Sequence, residues 1–455
     1  MVGAARARGY GAHVAVRDID AMPCALSPTE LQAALDAARR AAARLKARSV
    51  DEVLVPLDRV IAAWLEPNSA WRQRAQAVLP AATGFSQAMI RHGLPLLLAP
   101  LRSDAIRELL REELGHPGVL DAAHGRRGAY GPSLIAHVLS GNIPGLAATP
   151  ILLSLTVKSA ALIKAAAGDP IFPALFAASV RETDAELGEC LVVTRWDGGD
   201  RAFENVAFAS ADLVVASGAD TAIAAIAARV PRRFIGHGHK VSFAAIGREC
   251  LARPDAAERL ARRLAYDVSL WDQYGCLSPQ LCYVESGARV MPDEFARVLG
   301  DALDHYAKEL PPRTLSLEEE AAVLRFRQAS EWRETHRLLA SRDSPAWTIS
   351  VEPDAEFVPS CLHRCIRLKV LRSLADLATA LAPHQRHLEA AGIAVGPERV
   401  NDVTAMLAAA GVHRICPLGV MQTPTLAWRQ SGRPRVAEWV EWVGVEEVGR
   451  ESVRE

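Results

Sequence analysis

The stretch WDQYGCLSPQ, residues 271–280, places a cysteine in a short turn immediately before an apolar segment. Gly275 precedes Cys276, and residues 281–284 are apolar. A glycine-flanked turn exposes the thiol, and a buried strand behind it would hold it in place, as a nucleophile requires. A free cysteine is also a small hydrophobic residue that often packs in a core. The rest of the chain has to decide between a nucleophile and a core thiol.

The bulk composition is that of a soluble protein with more than one domain. The chain has 455 residues, 23% of them charged, and a net charge of −1. A single core rarely extends over so many residues, so we expect two domains and an added helical region. The near-neutral charge gives no indication of a nucleic acid partner or of binding to an anionic membrane surface.

The cysteines and the apolar segments predict a cytoplasmic protein without metal. The eight cysteines are scattered, and no set of zinc ligands is complete. The N-terminal residues 1–18 lack the apolar core of a signal peptide. The most apolar window, residues 143–163, is interrupted by Pro144, Pro150 and Lys158, so it predicts buried elements and no membrane span.

Residues 27–115 have the periodicity of helices. Ser27 with Glu30, and Ser49 with Glu52, are capping boxes that predict two helix starts. From residue 133 onwards, short apolar segments alternate with helical ones. The predicted strands are 134–139, 160–164, 191–194, 213–216 and 232–235. Uninterrupted apolar strands indicate a parallel sheet covered by helices on both faces, whose ligands bind at the carboxyl ends of the strands.

A second alternation follows the segment 237–240. The predicted strands are 241–246, 281–284 and 366–370, and the predicted helices include 255–269, 292–309 and 316–339. Trp428, Trp439 and Trp442 lie in the C-terminal tail, which we interpret either as a docking arm or as a returning edge strand, with the tryptophans at an interface or in a satellite core. The alternation of strands and helices after residue 240 predicts a second α/β domain.

The order of these features resembles the aldehyde dehydrogenase superfamily, and within it the LuxC-like acyl-CoA reductases, typified by the fatty acyl reductase of bacterial bioluminescence. The segments that carry the narrower resemblance are SGNIPG (140–145), DQYGCLSPQ (272–280) and RICPLGVMQTPTLAWRQSGRP (414–434). Gln430 and Ser431 stand where an acidic residue is usual in the last segment. The resemblance spans roughly residues 30–440 and is weak across the helical N-terminus.

The resemblance implies an α/β, aldehyde dehydrogenase-like fold. It would combine a helical N-terminal region, a Rossmann-type parallel-sheet cofactor domain and a second α/β domain that carries the cysteine. We place the first two in residues 1–240 and the catalytic domain in residues 241–425. Residues 426–455 would form a C-terminal arm for oligomerisation or for return to the cofactor domain.

The resemblance also implies a reaction at Cys276. The thiolate would attack an acyl thioester, from a fatty acyl-CoA or an acyl-carrier, and form an acyl-cysteine that is reduced to the aldehyde. The side-chain amide of Asn142 and the backbone N–H of Cys276 would stabilise the oxyanion. Without the resemblance, its position favours Asn142 as a turn former.

The cofactor implied by the resemblance is NADPH. Lys164 ends its strand where the superfamily has a lysine that reaches the adenosine ribose, and Ser217 with Gly218 would open a helix towards the pyrophosphate. NAD-selecting members carry a glutamate three residues after the lysine, and here that residue is Ala167. Without a carboxylate, a ribose 2′-phosphate meets no like charge. Lys164 as a solvated strand end and Ser217 as a helix N-cap are the plainer alternatives.

Residues 236–240 bear on whether water can hydrolyse the acyl-enzyme. Aligned by Lys240, Gly236 stands where hydrolytic aldehyde dehydrogenases have their general-base glutamate, which suggests acyl exchange with a thiol. His237 and His239 are candidates for an acid/base or electrostatic role, or are ordinary strand-end histidines. The segment EFVP, residues 356–359, is a weak counterpart of the superfamily's ribose-binding motif.

Two other functions stay open at this point. One is a hydrolytic, NAD-linked aldehyde dehydrogenase, which Gly236 and Ala167 disfavour. The other is a reductase-like subunit that acts as a scaffold for an acyl-ligase. Reductases of the bioluminescence type imply an acyl-protein ligase or acyltransferase partner even when active, and we also expect a homo-oligomer.

Overall fold

The computed structural model describes residues 26–122, 127–342 and 344–446. Its α-helices are α1 (Pro28–Leu45), α2 (Val50–Leu65), α3 (Ala70–Thr83), α4 (Gln87–Leu98), α5 (Ser103–Leu114), α6 (Ala148–Thr156), α7 (Phe172–Thr183), α8 (Ala185–Glu189), α9 (Arg201–Ser210), α10 (Asp220–Ala227), α11 (Pro254–Ser269), α12 (Pro292–Glu309), α13 (Leu317–Glu331), α14 (Leu377–Leu381) and α15 (Val400–Ala409).

The strands form three sheets. They are β1 (Arg127–Tyr130), β2 (Leu134–Val138), β3 (Ala160–Lys164), β4 (Leu191–Thr194), β5 (Leu213–Ser217), β6 (Arg233–His237), β7 (Val241–Ile246), β8 (Pro279–Glu285), β9 (Arg337–Ala340), β10 (Thr348–Glu352), β11 (Cys365–Leu371), β12 (Leu388–Ala394), β13 (Arg414–Pro417) and β14 (Glu441–Gly444). The α/β class predicted for the fold is confirmed.

The N-terminal region is helical, as predicted. The side chain of Ser27 accepts from the Glu30 N–H while the Glu30 carboxylate accepts from the Ser27 N–H, and Ser49 with Glu52 repeats this capping box. Each box satisfies backbone donors that the first turn of a helix leaves unpaired. Helices α1, α2 and α5 bury their apolar faces in the core that also holds the five-stranded sheet.

The five-stranded sheet is parallel throughout, in the order β4-β3-β2-β5-β6. Its strand order reverses between β2 and β5, because successive strands add on one side of β2 and then on the other. In sheets of this kind, ligands bind in the crevice at the carboxyl ends of the two strands that flank the reversal. The loops that follow β2 and β5 are therefore the natural ligand loops.

The seven-stranded sheet has the order β13-β12-β7-β8-β11-β10-β9, and every pair is parallel except β10 with β9. The predicted helix over residues 316–339 is wrong beyond residue 331, where α13 ends. Residues 337–340 are strand β9, since their backbone pairs with β10 at the sheet edge. Only residues 238–240 separate β6 from β7, so the carboxyl edge of the first sheet adjoins the amino edge of the second.

The C-terminal tail returns to the N-terminal half of the chain. Strand β14 pairs antiparallel with β1 in a two-stranded sheet. Trp439 is buried, and its ring lies 5.3 Å from that of His137 in β2. The tail therefore contains an edge strand, while the domain boundaries and an oligomerisation role remain predictions.

Some predictions concern residues outside those that the structure describes. They are the absence of a signal peptide in residues 1–18, the thiol of Cys24, and the end of the C-terminal arm, residues 447–455. Among the helices that are described, none has the length and apolar character needed to cross a membrane.

Candidate active site

Cys276 lies at the amino edge of the seven-stranded sheet, three residues before β8. Its side chain is exposed. Its carbonyl oxygen accepts a hydrogen bond of 2.6 Å from Ser242 Oγ, at the start of β7. Gln273 Nε2 donates to the carbonyls of Pro279 and Cys365, both at 2.9 Å. The turn around Cys276 is thus fixed to three strands of the sheet, and the thiol remains accessible.

Two left-handed turns brace the segment in front of Cys276. Residues 271–273 have φ between 49° and 67°, and residues 362–364 have φ between 56° and 66°. Such backbone costs on the order of 1–3 kcal/mol for each non-glycine residue, so surrounding contacts must enforce it. Here Arg364 Nε contacts Asp272 Oδ1 at 2.7 Å in a buried ion pair, and Arg364 Nη2 donates to the Leu310 carbonyl at 2.6 Å.

The Cys276 thiol is accessible but closely surrounded by protein. This desolvation and, to a smaller extent, the negative charge of Glu389 raise the pKa of Cys276 to about 12, while Arg435 acts in the opposite direction. The thiol is therefore protonated near neutral pH. A nucleophile in this state has to lose its proton during the attack on its substrate.

Glu389 is fully buried in β12, next to the Cys276 turn. Its Oε1 accepts a hydrogen bond of 2.9 Å from the Ser431 N–H, and its Oε2 lies 3.4 Å from Ser431 Oγ. Burial raises the pKa of Glu389, while the Ser431 N–H and the charges of Lys240 and Arg435 lower it. Sequence reasoning missed this residue, because it lies inside an otherwise apolar segment and belongs to no motif.

Arg435 lies on the C-terminal segment that covers the site. Its guanidinium is 5.3 Å from the Trp428 ring centre, and its Nε donates to the Trp428 carbonyl at 3.0 Å. The carboxylate of Glu113, near the end of α5, accepts the backbone N–H groups of residues 435–437 at 2.7 to 2.9 Å. Burial lowers the pKa of Arg435 to about 10, so it stays cationic at neutral pH.

The two candidate histidines lie in different surroundings. His237 ends β6, and burial lowers its pKa to about 4, with Arg433 and Arg435 acting in the same direction. It is therefore neutral at pH 7, and the positive charge near Cys276 comes from Arg435 instead. His239 is exposed, and its backbone N–H donates to Asp220 Oδ1 at 2.8 Å.

Gly236 lies inside β6 with little room around its Cα. A Cβ at this position would come within 2.6 Å of Ile223 Cγ2 and within 2.9 Å of the Phe234 ring. A glutamate could be accommodated here only if α10 or the Phe234 ring moved. The packing around position 236 is therefore adapted to a residue without a side chain.

The predicted cofactor loops lie together along the carboxyl edge of the five-stranded sheet. Asn142 is exposed in the loop after β2. Gly141 has φ of 67°, and a Cβ there would lie 2.4 Å from Ala166 Cβ, so the loops after β2 and β3 pack closely. Buried Asp169 accepts from the Phe172 N–H at 3.2 Å and from the Gly145 N–H, which ties the two loops together.

Lys164 has a cationic neighbour that sequence reasoning missed. Its Nζ lies 6.0 Å from the centre of the Trp196 ring. Burial lowers the pKa of Lys164, Asp197 raises it and Arg195 lowers it. Arg195 and Ala167 are both exposed at this edge. The signal was available, because Arg195 follows β4 just as Lys164 ends β3, and the two strands are parallel neighbours.

Ser217 and Gly218 lie at the end of β5, at the strand-order reversal. The Gly218 N–H donates to the His237 carbonyl at 3.1 Å, so it continues the sheet. The N-cap of α10 is Ala219, which provides no side-chain cap. The interpretation of Ser217 as an N-cap is therefore wrong, and the backbone donors of the first turn of α10 have no capping side chain.

Residues 356–359 follow β10, which ends at the carboxyl edge of the seven-stranded sheet. Phe357 packs 5.9 Å from the Phe243 ring in β7, and the Pro359 carbonyl accepts from Arg367 Nε in β11 at 3.4 Å, so the segment runs back across the sheet. Three side chains that could together ligate a metal ion lie near the end of β10, those of His336, Glu352 and Asp354. Lys369 Nζ contacts both of these carboxylates at 2.6 Å, so a lysine already neutralises their charge.

Comparisons with known proteins identify relatives of this chain. The sequence model of the family described as acyl-CoA reductase (LuxC) matches residues 45–434. A long-chain acyl-protein thioester reductase from Aliivibrio fischeri is 26% identical over 306 residues, which cover 65% of this chain and 61% of that relative. The chain thus spans less than two thirds of the length of that relative.

Solved structures of aldehyde dehydrogenases share the fold. A putative aldehyde dehydrogenase from Anabaena variabilis superimposes with a TM-score of 0.70 at 13% identity, over 94% of this chain and 96% of that one. A gamma-glutamyl-gamma-aminobutyraldehyde dehydrogenase from Burkholderia cenocepacia gives 0.71 at 15% identity, over 91% and 88%. At such identities the likeness concerns the fold alone.

Proposed function

Because the chain belongs to the acyl-CoA reductase (LuxC) family, we propose that it reduces an acyl thioester to the aldehyde through an acyl-cysteine on Cys276, with NADPH as reductant. The observation that carries the proposal is the accessible Cys276 thiol, held in a braced turn where the edges of the two sheets meet. The substrate would be a fatty acyl-CoA or an acyl group on a carrier. The name of the Aliivibrio fischeri relative favours a long acyl chain on a protein thioester.

In the first step, Cys276 attacks the thioester carbonyl and the carrier thiol departs. The S–C bond of the acyl-cysteine forms, the S–C bond of the substrate breaks, and the thiol proton passes to the leaving group. The side-chain amide of Asn142 and the backbone N–H of Cys276 are the proposed donors to the oxyanion. Asn142 fits this role because it is exposed at the carboxyl edge that adjoins the Cys276 turn.

Position 236 provides no base that could activate water against the acyl-cysteine. Gly236 stands where hydrolytic aldehyde dehydrogenases have their base, and a Cβ there would already meet the Ile223 and Phe234 side chains. The acyl-cysteine would therefore persist until it is reduced or returned to a thiol. This disfavours the hydrolytic, NAD-linked alternative.

The residues at the carboxyl edge of the five-stranded sheet fit NADPH. Lys164 and Arg195 provide two neighbouring cations, and Ala167 provides no competing carboxylate. Two cations suit the ribose 2′-phosphate that distinguishes NADPH from NADH. The loop at Ser217 and Gly218 and the uncapped start of α10 would hold the pyrophosphate. When bound, NADPH supplies the hydride for the reduction.

A homo-oligomer and an acyl-delivering partner complete the proposal. Tyr130, Trp442 and Val443 of the two-stranded sheet are 41% to 47% exposed, which is unusual for such side chains and suits a contact with a second copy. An acyl-protein ligase or acyltransferase would supply the acyl group. The reactive Cys276 requires a reducing compartment, so we place the protein in the cytoplasm.

The test is the identity of the product. The purified chain, given a long-chain acyl-CoA and NADPH, should release aldehyde and free CoA. Cys276→Ala should form none, whereas Cys250→Ala, which changes a half-buried thiol at the opposite edge of the sheet, should keep the activity. Acid formed from aldehyde without a thiol acceptor would favour the hydrolytic alternative. A folded chain that binds a ligase but forms no aldehyde would favour the scaffold.

A further inference from the structure

Acyl transfer to Cys276 needs a group that exchanges a proton with the thiol. The thiol is protonated near neutral pH because protein surrounds it. Its proton must leave as the S–C bond forms, and the departing carrier thiolate must gain one. Gly236, at the position of the usual base, can do neither.

The hydrogen bonds of Ser242 place Glu389 beside the Cys276 turn. Ser242 Oγ donates to the Cys276 carbonyl at 2.6 Å and accepts from the Ala390 N–H at 3.1 Å. One hydroxyl therefore links the nucleophile to the residue that follows Glu389. The register between β12 and β7 also shifts between Leu388 and Ala391, which places Glu389 in a β-bulge. Bulges redirect side chains and occur often beside active sites.

The carboxyl group of Glu389 is held but not neutralised. It is fully buried, and Ser431 provides its hydrogen bonds through the backbone N–H and the hydroxyl. Among the ion pairs of the described residues, none includes Glu389. A buried carboxyl without an ion pair takes up a proton more readily than an exposed one. This is the property that a proton-exchanging group needs.

The other charged groups near Glu389 are less suitable. Lys240, just before β7, donates its Nζ to the Arg386 carbonyl at 2.8 Å. Arg435, from the covering segment, stays cationic. Burial and the charges of Arg433 and Arg435 lower the pKa of His237 to about 4, so its ring is a weak base. The cations can stabilise a thiolate, but an ammonium or guanidinium group offers only donors and cannot accept the S–H proton.

We propose that Glu389 is the general acid and base of the acyl-transfer step, a role that rests on the proposed function of Cys276. Its carboxylate accepts the S–H proton as the sulfur bonds to the acyl carbon. The resulting carboxylic acid gives that proton to the carrier thiolate as the thioester S–C bond breaks. One proton moves from thiol to thiol, and no electrons are transferred between the groups.

Two rates measured on Glu389→Gln test this role without NADPH. Release of free CoA during acylation should fall by about 10²–10⁴-fold, because glutamine cannot accept a proton. Alkylation of Cys276 by iodoacetamide at pH 7.5 should become faster, by at most about tenfold for each pKa unit by which the lost negative charge lowers the pKa of the thiol. The opposite signs separate proton exchange from a structural role, which would change both rates in the same direction.

The matched control is Glu249→Gln, a partly buried carboxylate at the opposite edge of the same sheet, which accepts from the Gly396 N–H at 2.7 Å. It should alter neither rate. Glu389→Asp, which retains a carboxyl group, should recover part of the acylation rate. An unchanged acylation rate in Glu389→Gln overturns the role of Glu389. If the wild-type chain itself is not acylated on Cys276, the proposed function fails instead.

Discussion

The two parallel sheets use opposite edges. In the five-stranded sheet, Asn142, Lys164 and Ser217 follow or end strands, so the candidate ligand groups lie at the carboxyl edge, as is usual for such sheets. In the seven-stranded sheet, Cys276, Ser242 and Glu389 lie at the amino edge. The connection of residues 238–240 brings these two edges next to each other.

The carboxyl edge of the seven-stranded sheet is occupied by charge pairs. Glu285, at the end of β8, is buried and contacts Arg399 at 2.7 Å and Arg248 at 3.2 Å. Burial opposes its ionisation, but hydrogen bonds from Arg399 and Arg248 lower the pKa of Glu285 to about 2. Glu389 at the other edge lacks such pairs, and its pKa is raised. One sheet thus holds an ionised structural carboxylate and a carboxyl group suited to proton exchange.

The largest effect is expected at the edge where the sheets meet. Asn142→Ala should lower kcat/KM for acyl-CoA by about 10²–10³-fold, because one donor to the oxyanion is lost. The binding of NADPH, followed by fluorescence, should be unchanged. A loss of less than threefold would remove Asn142 from the reaction and leave it as a turn former.

A smaller effect is expected further along the same edge. Arg195→Ala should weaken NADPH binding by roughly ten- to a hundredfold, which corresponds to the loss of about 1.5–3 kcal/mol from one charged hydrogen bond. The affinity for NADH should be unaffected, because NADH lacks the 2′-phosphate. Titration calorimetry with both cofactors makes the comparison, and an equal loss for both would contradict the assignment of Arg195.

A substitution at the carboxyl edge of the seven-stranded sheet should affect stability only. Glu285→Gln should lower the free energy of unfolding by about 2 kcal/mol, a value discounted because Arg248 and Arg399 are partly exposed. The rate of acylation should stay within about twofold of wild type. Urea unfolding and CoA release measure the two quantities. A large loss of acylation in a folded Glu285→Gln variant would mean that the two edges are not functionally distinct.

The smallest effect is a dependence on pH. The folded pKa of Glu285 is depressed, so its contribution to stability is complete above the unfolded value near 4.3 and is lost as pH falls towards 2. Between pH 5 and 3, the free energy of unfolding of the wild-type chain should fall by about 1 kcal/mol more than that of Glu285→Gln. Parallel curves for the two proteins would show that the pair adds nothing.

Much of this arrangement was predictable from local sequence. The apolar segments 160–164, 191–194 and 241–246 were predicted with the bounds that β3, β4 and β7 have, because buried parallel strands are continuously apolar. The capping boxes predicted the starts of α1 and α2, because each box is formed by two residues three positions apart. Both signals depend only on neighbouring residues.

The parts that were missed depend on distant residues. Strand β12, LEAAGIA, is rich in alanine and glycine, which have low strand propensity, and its pairing with β7 makes it a strand. Residues 337–340 continue the apolar pattern of α13, and only the edge of β10 makes them a strand. Glu389 and Arg435 meet Cys276 through sheet order and chain return, which no local motif encodes.

The most direct test of the central claim is the site of acylation. The wild-type chain, mixed with a long-chain acyl-CoA without NADPH and analysed by peptide mass spectrometry, should carry one acyl group on the peptide that contains Cys276. Hydroxylamine should remove that group, Cys276→Ala should lack it, and Cys250→Ala should retain it. An acyl group that persists in Cys276→Ala, or a folded wild-type chain that takes up none, would contradict the account.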